Sequence, residues 1–155
     1  MGTGRGTFVA AAIVVALVMV GCGGSDSSTA ASSISKEEFI TKADAICKKG
    51  TERLQAAIGR VLKNQPNITK VSKGEQEKIV ATAMVPSVSR EVKELRALPI
   101  PEGDEEKVDA MITALEEGVE TAERDPEAVT KSSDAVFGIS SRIAGEYGLE
   151  ACGSR

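Results

Sequence analysis

Chemistry in this chain starts with its cysteines, because the other usual reactive groups are missing. The sequence holds three, Cys22, Cys47 and Cys152, and no histidine. A cysteine sulfur can accept a covalent group, form half of a disulfide, or attack as a thiolate, and the last needs an activating neighbour. Without histidine the commonest general base and metal ligand are gone. The chain also lacks a glycine-rich phosphate loop and a nucleophile elbow. Carboxylates are plentiful, with 23 Asp and Glu against 19 Lys and Arg, but no pair stands out. Asp104-Glu105-Glu106 groups three of them where a helix begins, and there the free amides and the helix dipole already account for negative charge. The trio lacks the alternating ligand spacing of a calcium loop. The expectation is a protein with no enzymatic activity, no cofactor and no metal site.

Cys22 has the clearest setting. Residues 1–7 are short and polar, with Arg5 and the terminal amine supplying positive charge. An unbroken apolar run follows from Phe8 to Val20. A membrane span needs about 20 apolar residues, so this run is too short to cross and fits the apolar core of a secretory leader. Gly21 is the small residue wanted at a cleavage point. Met19-Val20-Gly21-Cys22 resembles the bacterial lipobox, whose cysteine receives a diacylglyceryl group and becomes the new N-terminus. Met19 stands where that motif usually has leucine, a swap of similar size and polarity. The chain is thus expected to divide into a leader (1–21), a lipidated flexible tether (22–34) and a folded domain (35–155). The tether reading rests on its Gly, Ser and Ala content and lack of apolar period. Lipid on Cys22 would hold the protein to the cell membrane, facing the extracytoplasmic side.

The remaining residues, about 120, suffice for one domain with a core. The whole chain has net charge −4, and loss of Arg5 with the leader makes it one unit more negative. An acidic surface without a basic cluster argues against nucleic acid and against a second electrostatic hold on anionic lipid. Aromatic residues make up 3% of the chain, with no tryptophan. Strands favour aromatic and β-branched residues, whereas Ala, Glu, Lys and Val here recur at helical spacing. The class expected is all-α, an up-and-down four-helix bundle.

Ser35 opens the first helix, with Glu38 placed to close a capping box and Ile34 to staple onto Phe39. Steps of three and four then dominate among Phe39, Ala43, Ile46, Cys47, Leu54, Ala57, Ile58, Val61 and Leu62, one face of a helix running to about Lys63. Ser72 and Glu75 form a second capping box. The helix they start carries Val80, Met84, Val88, Val92 and Leu95, and Pro86 should kink or split it, with Val85 pushed from helical angles. Leu98-Pro99-Ile100-Pro101 is an extended connection to a third helix bearing Val108, Ile112, Leu115 and Val119. Asp125 caps a fourth, Pro126 opens it, and Gly148 ends it with Leu149 folding back.

These elements must position Cys47 and Cys152. In an up-and-down bundle the fourth helix runs antiparallel to the first. At 1.5 Å per residue the two are about 42 and 33 Å long, which brings Tyr147 down near residue 41. The tail from Gly148 can then return to Cys47, and an oxidising compartment would allow a Cys47–Cys152 disulfide. Two buried free thiols are the alternative. Arg142, Glu146 and Tyr147 are candidate polar contacts, read more simply as local helix pairs and rim.

Three stretches taken together carry a resemblance: Phe39-Ile40-Thr41-Lys42-Ala43-Asp44-Ala45-Ile46-Cys47, Leu98-Pro99-Ile100-Pro101-Glu102-Gly103-Asp104-Glu105, and Tyr147-Gly148-Leu149-Glu150-Ala151-Cys152-Gly153. They resemble small actinobacterial lipoproteins of unknown function, which pair a cysteine in the first helix with one in a C-terminal Y-G-L-x-x-C-G. The resemblance implies an address and a pairing, and no activity. The first functional reading is a monomeric, lipid-anchored module that binds a protein or another envelope component. An alternative is a small-ligand binder with an interhelical pocket, for which Gly50, Gly59, Gly118 and Gly138 could leave room. A third is an envelope enzyme using carboxylates. A contiguous exposed apolar patch favours the first, and a sizeable apolar cavity with converging polar groups favours the second.

Overall fold

The computed structural model describes residues 34–63 and 71–154. The expected leader, Cys22 and nearly all of the tether lie outside them. Among the described residues the regular structure is entirely helical, so the protein is all-α.

α1 spans Lys36–Val61, and the Ser35 hydroxyl accepts the Glu38 amide at 3.1 Å. Glu38 does not close the capping box; its carboxylate turns to Lys42, 2.7 Å away and one helical turn on. Phe39, Ala43, Cys47 and Gly50 form the buried face of α1. Ser72 and Glu75 do form a complete capping box at the start of α2, Lys73–Ile79.

Pro86 acts in an unexpected way. The chain passes from α2 through a π turn, Val80–Met84, directly into α3, Val85–Arg96. Val85 keeps helical angles (φ −52°, ψ −54°) and donates to the Val80 carbonyl, one residue wider than an α-helical bond. This wide turn places the proline at the start of a new run, where its missing N–H needs no helical acceptor.

α4, Glu105–Arg124, follows the proline-rich connection, in which Gly103 takes φ 87°. The expected fourth helix is two helices. α5 covers Pro126–Lys131 and α6 covers Ser133–Tyr147, with Ser132 extended between them. Each has its own cap: Asp125 accepts from Ala128 at 3.2 Å, and Ser132 accepts from Ala135 at 3.1 Å. Ser132 lies on the apolar stripe, so periodicity alone reads straight through it. A serine hydroxyl competes for backbone donors and here starts a helix rather than continuing one.

Gly148, at φ 105°, ends α6. Its amide reaches the Gly145 carbonyl at 3.1 Å and Leu149 reaches that of Ala144 at 2.9 Å, which is the Schellman pattern. Leu149 is thereby fully buried. One more short helix, α7 (Glu150–Gly153), completes the order.

α4 and α6 run antiparallel, since Asp104 meets Tyr147 at one end and Gly118 meets Phe137 at the other. A Cβ on Gly118 would come within 2.5 Å of the Phe137 ring, so this pair needs the glycine to approach. α3 joins α4 through Arg96, whose guanidinium holds the Glu116 carboxylate at 2.7 and 3.0 Å and also reaches Asp109 and Thr113. α1 joins α3 through a two-pronged Arg53–Glu94 pair at 3.0 Å. The core they enclose is built on Phe39, Leu95, Val108, Ile112 and Leu149. Fully burying each such side chain contributes about 1.5–3 kcal/mol relative to exposure.

Candidate functional site

Cys47 and Cys152 are joined by a disulfide, with their Cα atoms 5.3 Å apart, and they stand 105 positions apart in sequence. The tail reaches α1 as the helix lengths suggested. Tyr147 and Phe39 pack T-shaped with ring centroids 5.8 Å apart, the Lys36 ammonium lies over the Tyr147 ring 4.3 Å from its centroid, and α7 carries Cys152 back to Cys47.

The return is fixed by a residue the sequence did not point to. The Asp44 carboxylate, on α1, accepts the amides of Glu150 (3.2 Å), Ala151 (2.9 Å) and Cys152 (3.4 Å). It is an N-cap supplied from more than a hundred residues away. Local sequence cannot show such a cap, because Leu149, which precedes α7, has no side-chain acceptor.

α7 has a consequence for the packing. It sits against both α1 and α6, which make little direct contact with each other. Between those two helices, α3 and α4 lies a cavity of about 240 Å³. Leu54, Met84, Val88, Met111, Leu115 and Phe137 make most of its wall. The two methionines are flexible and polarisable, well suited to packing around irregular apolar shapes.

The cavity has a mouth and a floor. Leu54, Met84 and Phe137 are only half-buried and Ser133 is exposed, which marks one end as open. Glu91, Leu95, Met111, Ala144 and Cys152 at the other end are buried. Glu91 is the feature that stands out on the floor. It is 1% exposed, its carboxyl group lies against Gly50, and Oε1 is 3.4 Å from the Cys47 sulfur. A sulfur in a disulfide has no hydrogen to give, so this is a packing contact and not a hydrogen bond from cysteine. A Cβ on residue 50 would collide with the carboxyl group, so Gly50 is the space in which Glu91 fits. Ser140 and Ser141 are buried nearby, and the Ser140 hydroxyl donates to the Phe137 carbonyl at 2.8 Å.

Glu91 was hidden by its neighbours, Arg90-Glu91-Val92-Lys93-Glu94, which read as a charged surface run. The signal that reveals it is register: Met84, Val88, Glu91 and Leu95 follow steps of four, three and four, an inward-facing stripe with one acid in it.

The other sequence candidates fall apart spatially. Of the four glycines, Gly50 alone lines the cavity; Gly59 is exposed, Gly118 packs on Phe137, and Gly138 lies beside Asp134 of its own helix. Arg142 and Glu146 form an exposed pair one turn apart at 3.0 Å. Tyr147 donates to Asp104 at 2.6 Å, and burial, then that hydrogen bond, pushes its phenol well above the ordinary tyrosine value. In the acidic trio, Glu105 accepts the Gly103 amide at 2.9 Å. No group of three potential ligands able to hold a metal ion occurs among the described residues, and no described helix is long and apolar enough to cross a membrane. Ile139, 60% exposed, is the only large apolar side chain fully at the surface among the described residues.

Comparison of the chain with protein families, curated proteins and solved structures finds no match.

Proposed function

We propose that the domain binds a small apolar molecule between its helices, and that lipid on Cys22 holds it at the extracytoplasmic face of the cell membrane. The observation that carries the binding role is the cavity of about 240 Å³, apolar in its walls and with a carboxyl group in its floor. Concave, mostly apolar sites with a few placed polar groups are the usual form of small-molecule pockets. A module docking on a protein partner would present a contiguous apolar patch instead, and among the described residues Ile139 is the only large apolar side chain fully at the surface. The geometry therefore favours the pocket over the interaction module that composition suggests first.

In this reading the domain is a monomeric binder and not a catalyst, without cofactor or nucleic-acid partner. Its scaffold is an up-and-down four-helix bundle whose second member, residues 73–96, bends at Pro86. The antiparallel α4–α6 pair and the π turn before the proline support that arrangement. The membrane half rests on the leader-like residues 8–20 and on the Gly21-Cys22 junction.

The test is uptake of Nile red, a neutral apolar dye, by the full chain. Saturable fluorescence enhancement is expected, and Leu54→Trp, which fills the mouth, should abolish it while leaving the helical circular dichroism intact. A response that never saturates, or one identical in the Leu54→Trp protein, would overturn the binding role.

A further inference from the structure

We infer that a groove between α1 and α3 binds a phosphate group, held by guanidinium groups from both helices. The groove shares no lining residue with the apolar cavity, so this inference does not rest on the binding role proposed above.

The groove has a volume of about 500 Å³. On α1 it is lined by Arg53, Ala56, Ala57 and Arg60, which share one helical face. Ala83, Pro86, Ser87 and Arg90 line it from the π turn and α3. Small side chains thus form its bed, and three arginines stand round it. Arg60 and Arg90 are exposed, so their heads are open to a ligand. These arginines lie far apart in the sequence, and no basic run announces them. Only the pairing of α1 with α3 brings them together.

Charge is the first ground. Guanidinium groups stay charged in proteins. Glu94 pairs with both terminal nitrogens of Arg53 at 3.0 Å and stands 3.9 Å from Arg90 Nε. Arg60 makes no ion pair among the described residues, and residues 64–70, just beyond α1, contain no acid. Three positive charges in the groove therefore meet one carboxylate, in a chain whose net charge is −4.

The second ground is an unmet donor. Arg53 Nε is shielded from solvent and has no acceptor among the described residues. Shielded donors ordinarily have one. Glu94 already occupies the other two nitrogens, and a small turn of the side chain presents Nε to an oxygen in the groove. The third ground is the kind of donor. The hydroxyls of Thr82 and Ser87 are spent on the Lys78 and Ala83 carbonyls, each at 2.7 Å, so the arginines do the donating. Guanidinium forks match carboxylate and phosphate oxygens in pairs. One fork fills a carboxylate, as Arg53 fills Glu94, whereas a phosphate keeps oxygens for a second and can bridge α1 to α3. A soluble phosphate ester and an anionic lipid headgroup both supply that chemistry.

The experiment titrates glycerol 3-phosphate, phosphatidylglycerol and acetate into the full chain in dodecyl maltoside micelles, which carry neither charge nor phosphate. Binding is read by calorimetry and by the arginine Nε–H signals in nuclear magnetic resonance. A phosphate probe is expected to bind saturably, about tenfold more tightly than acetate, to weaken as salt is added, and to shift the Arg53 Nε–H signal. Arg60→Gln combined with Arg90→Gln changes two exposed residues and should weaken binding about tenfold with the helical circular dichroism unchanged. Arg142→Gln, on α6, should leave it as it was. Tighter binding of phosphatidylglycerol than of glycerol 3-phosphate assigns the groove to a lipid headgroup, and the reverse order assigns it to a soluble ester. Phosphate probes that bind no better than acetate, or equally well to the double variant, would overturn the inference.

Discussion

The Asp44 carboxylate accepts the Ala151 amide at 2.9 Å, tying the first helix to the last across 107 positions. Two further amides of α7 point at the same group. The disulfide one turn along therefore closes a geometry that hydrogen bonding has already prepared. Losing an N-cap costs about 1 kcal/mol. Asp44→Ala should lower stability by that amount in denaturant unfolding, and it should also speed reduction of the bridge by a mild thiol. A variant whose bridge is reduced at the unaltered rate would show that the cap has no part in holding α7.

Cys152→Ser removes the bridge itself. Closing a loop of this length is worth roughly 4–5 kcal/mol by chain-entropy scaling. The variant should be destabilised by several kcal/mol, and by more than Val119→Ala, a plain core truncation. In protein taken from its native compartment, non-reducing peptide mapping should recover Cys47 and Cys152 in one fragment. Two thiols that alkylate freely would refute the pairing.

Tyr147 gives a pH signature. Its phenol ionises far less readily in the folded protein, because it is buried and donates to Asp104. A group whose value rises on folding contributes fully below its unfolded value, about 10 for tyrosine, and that contribution is lost as pH climbs above it. Stability should hold up to that pH and then fall, and Tyr147→Phe should flatten the fall. The chain has one tyrosine and no tryptophan, so phenolate absorbance reports this group alone. A phenolate titrating at the ordinary value in folded protein would contradict the buried hydrogen bond.

Cys22 is tested chemically. Mass spectrometry of the mature N-terminus should find it first in the chain and carrying diacylglyceryl, and Cys22→Ser should leave the leader uncleaved. An intact, unmodified Gly21–Cys22 junction in membrane fractions would refute the anchor.

Much of the fold was legible because helix ends are written locally. Ser35, Ser72, Asp125 and Gly148 each act within four residues of themselves, and all four do as their type suggests. The features that stayed hidden depend on distant partners or on competition. Asp44 caps a helix that local signals do not announce. Pro86 was expected to kink or split its helix and push Val85 from helical angles, yet a wide turn upstream lets Val85 stay helical. Ser132 fits the apolar stripe and splits the helix all the same. In the candidate site, the bridge was readable from helix lengths, while Glu91 was masked by the charges on either side of it.

The bridge also dictates an order of assembly. The inner face of α1, Phe39, Ala43 and Cys47, is covered in part by residues 147–152 and in part by α3, whose Glu91 lies against Cys47. A chain emerging N-terminus first therefore makes one of its most apolar surfaces early and receives the first part of that cover last. Contacts so far apart in sequence form slowly, and the exposed intermediate is prone to aggregate. α3 can pair meanwhile with α4 through Arg96 and with α1 through Glu94, but Phe39 and Cys47 gain Tyr147 and Cys152 only when the last residues arrive.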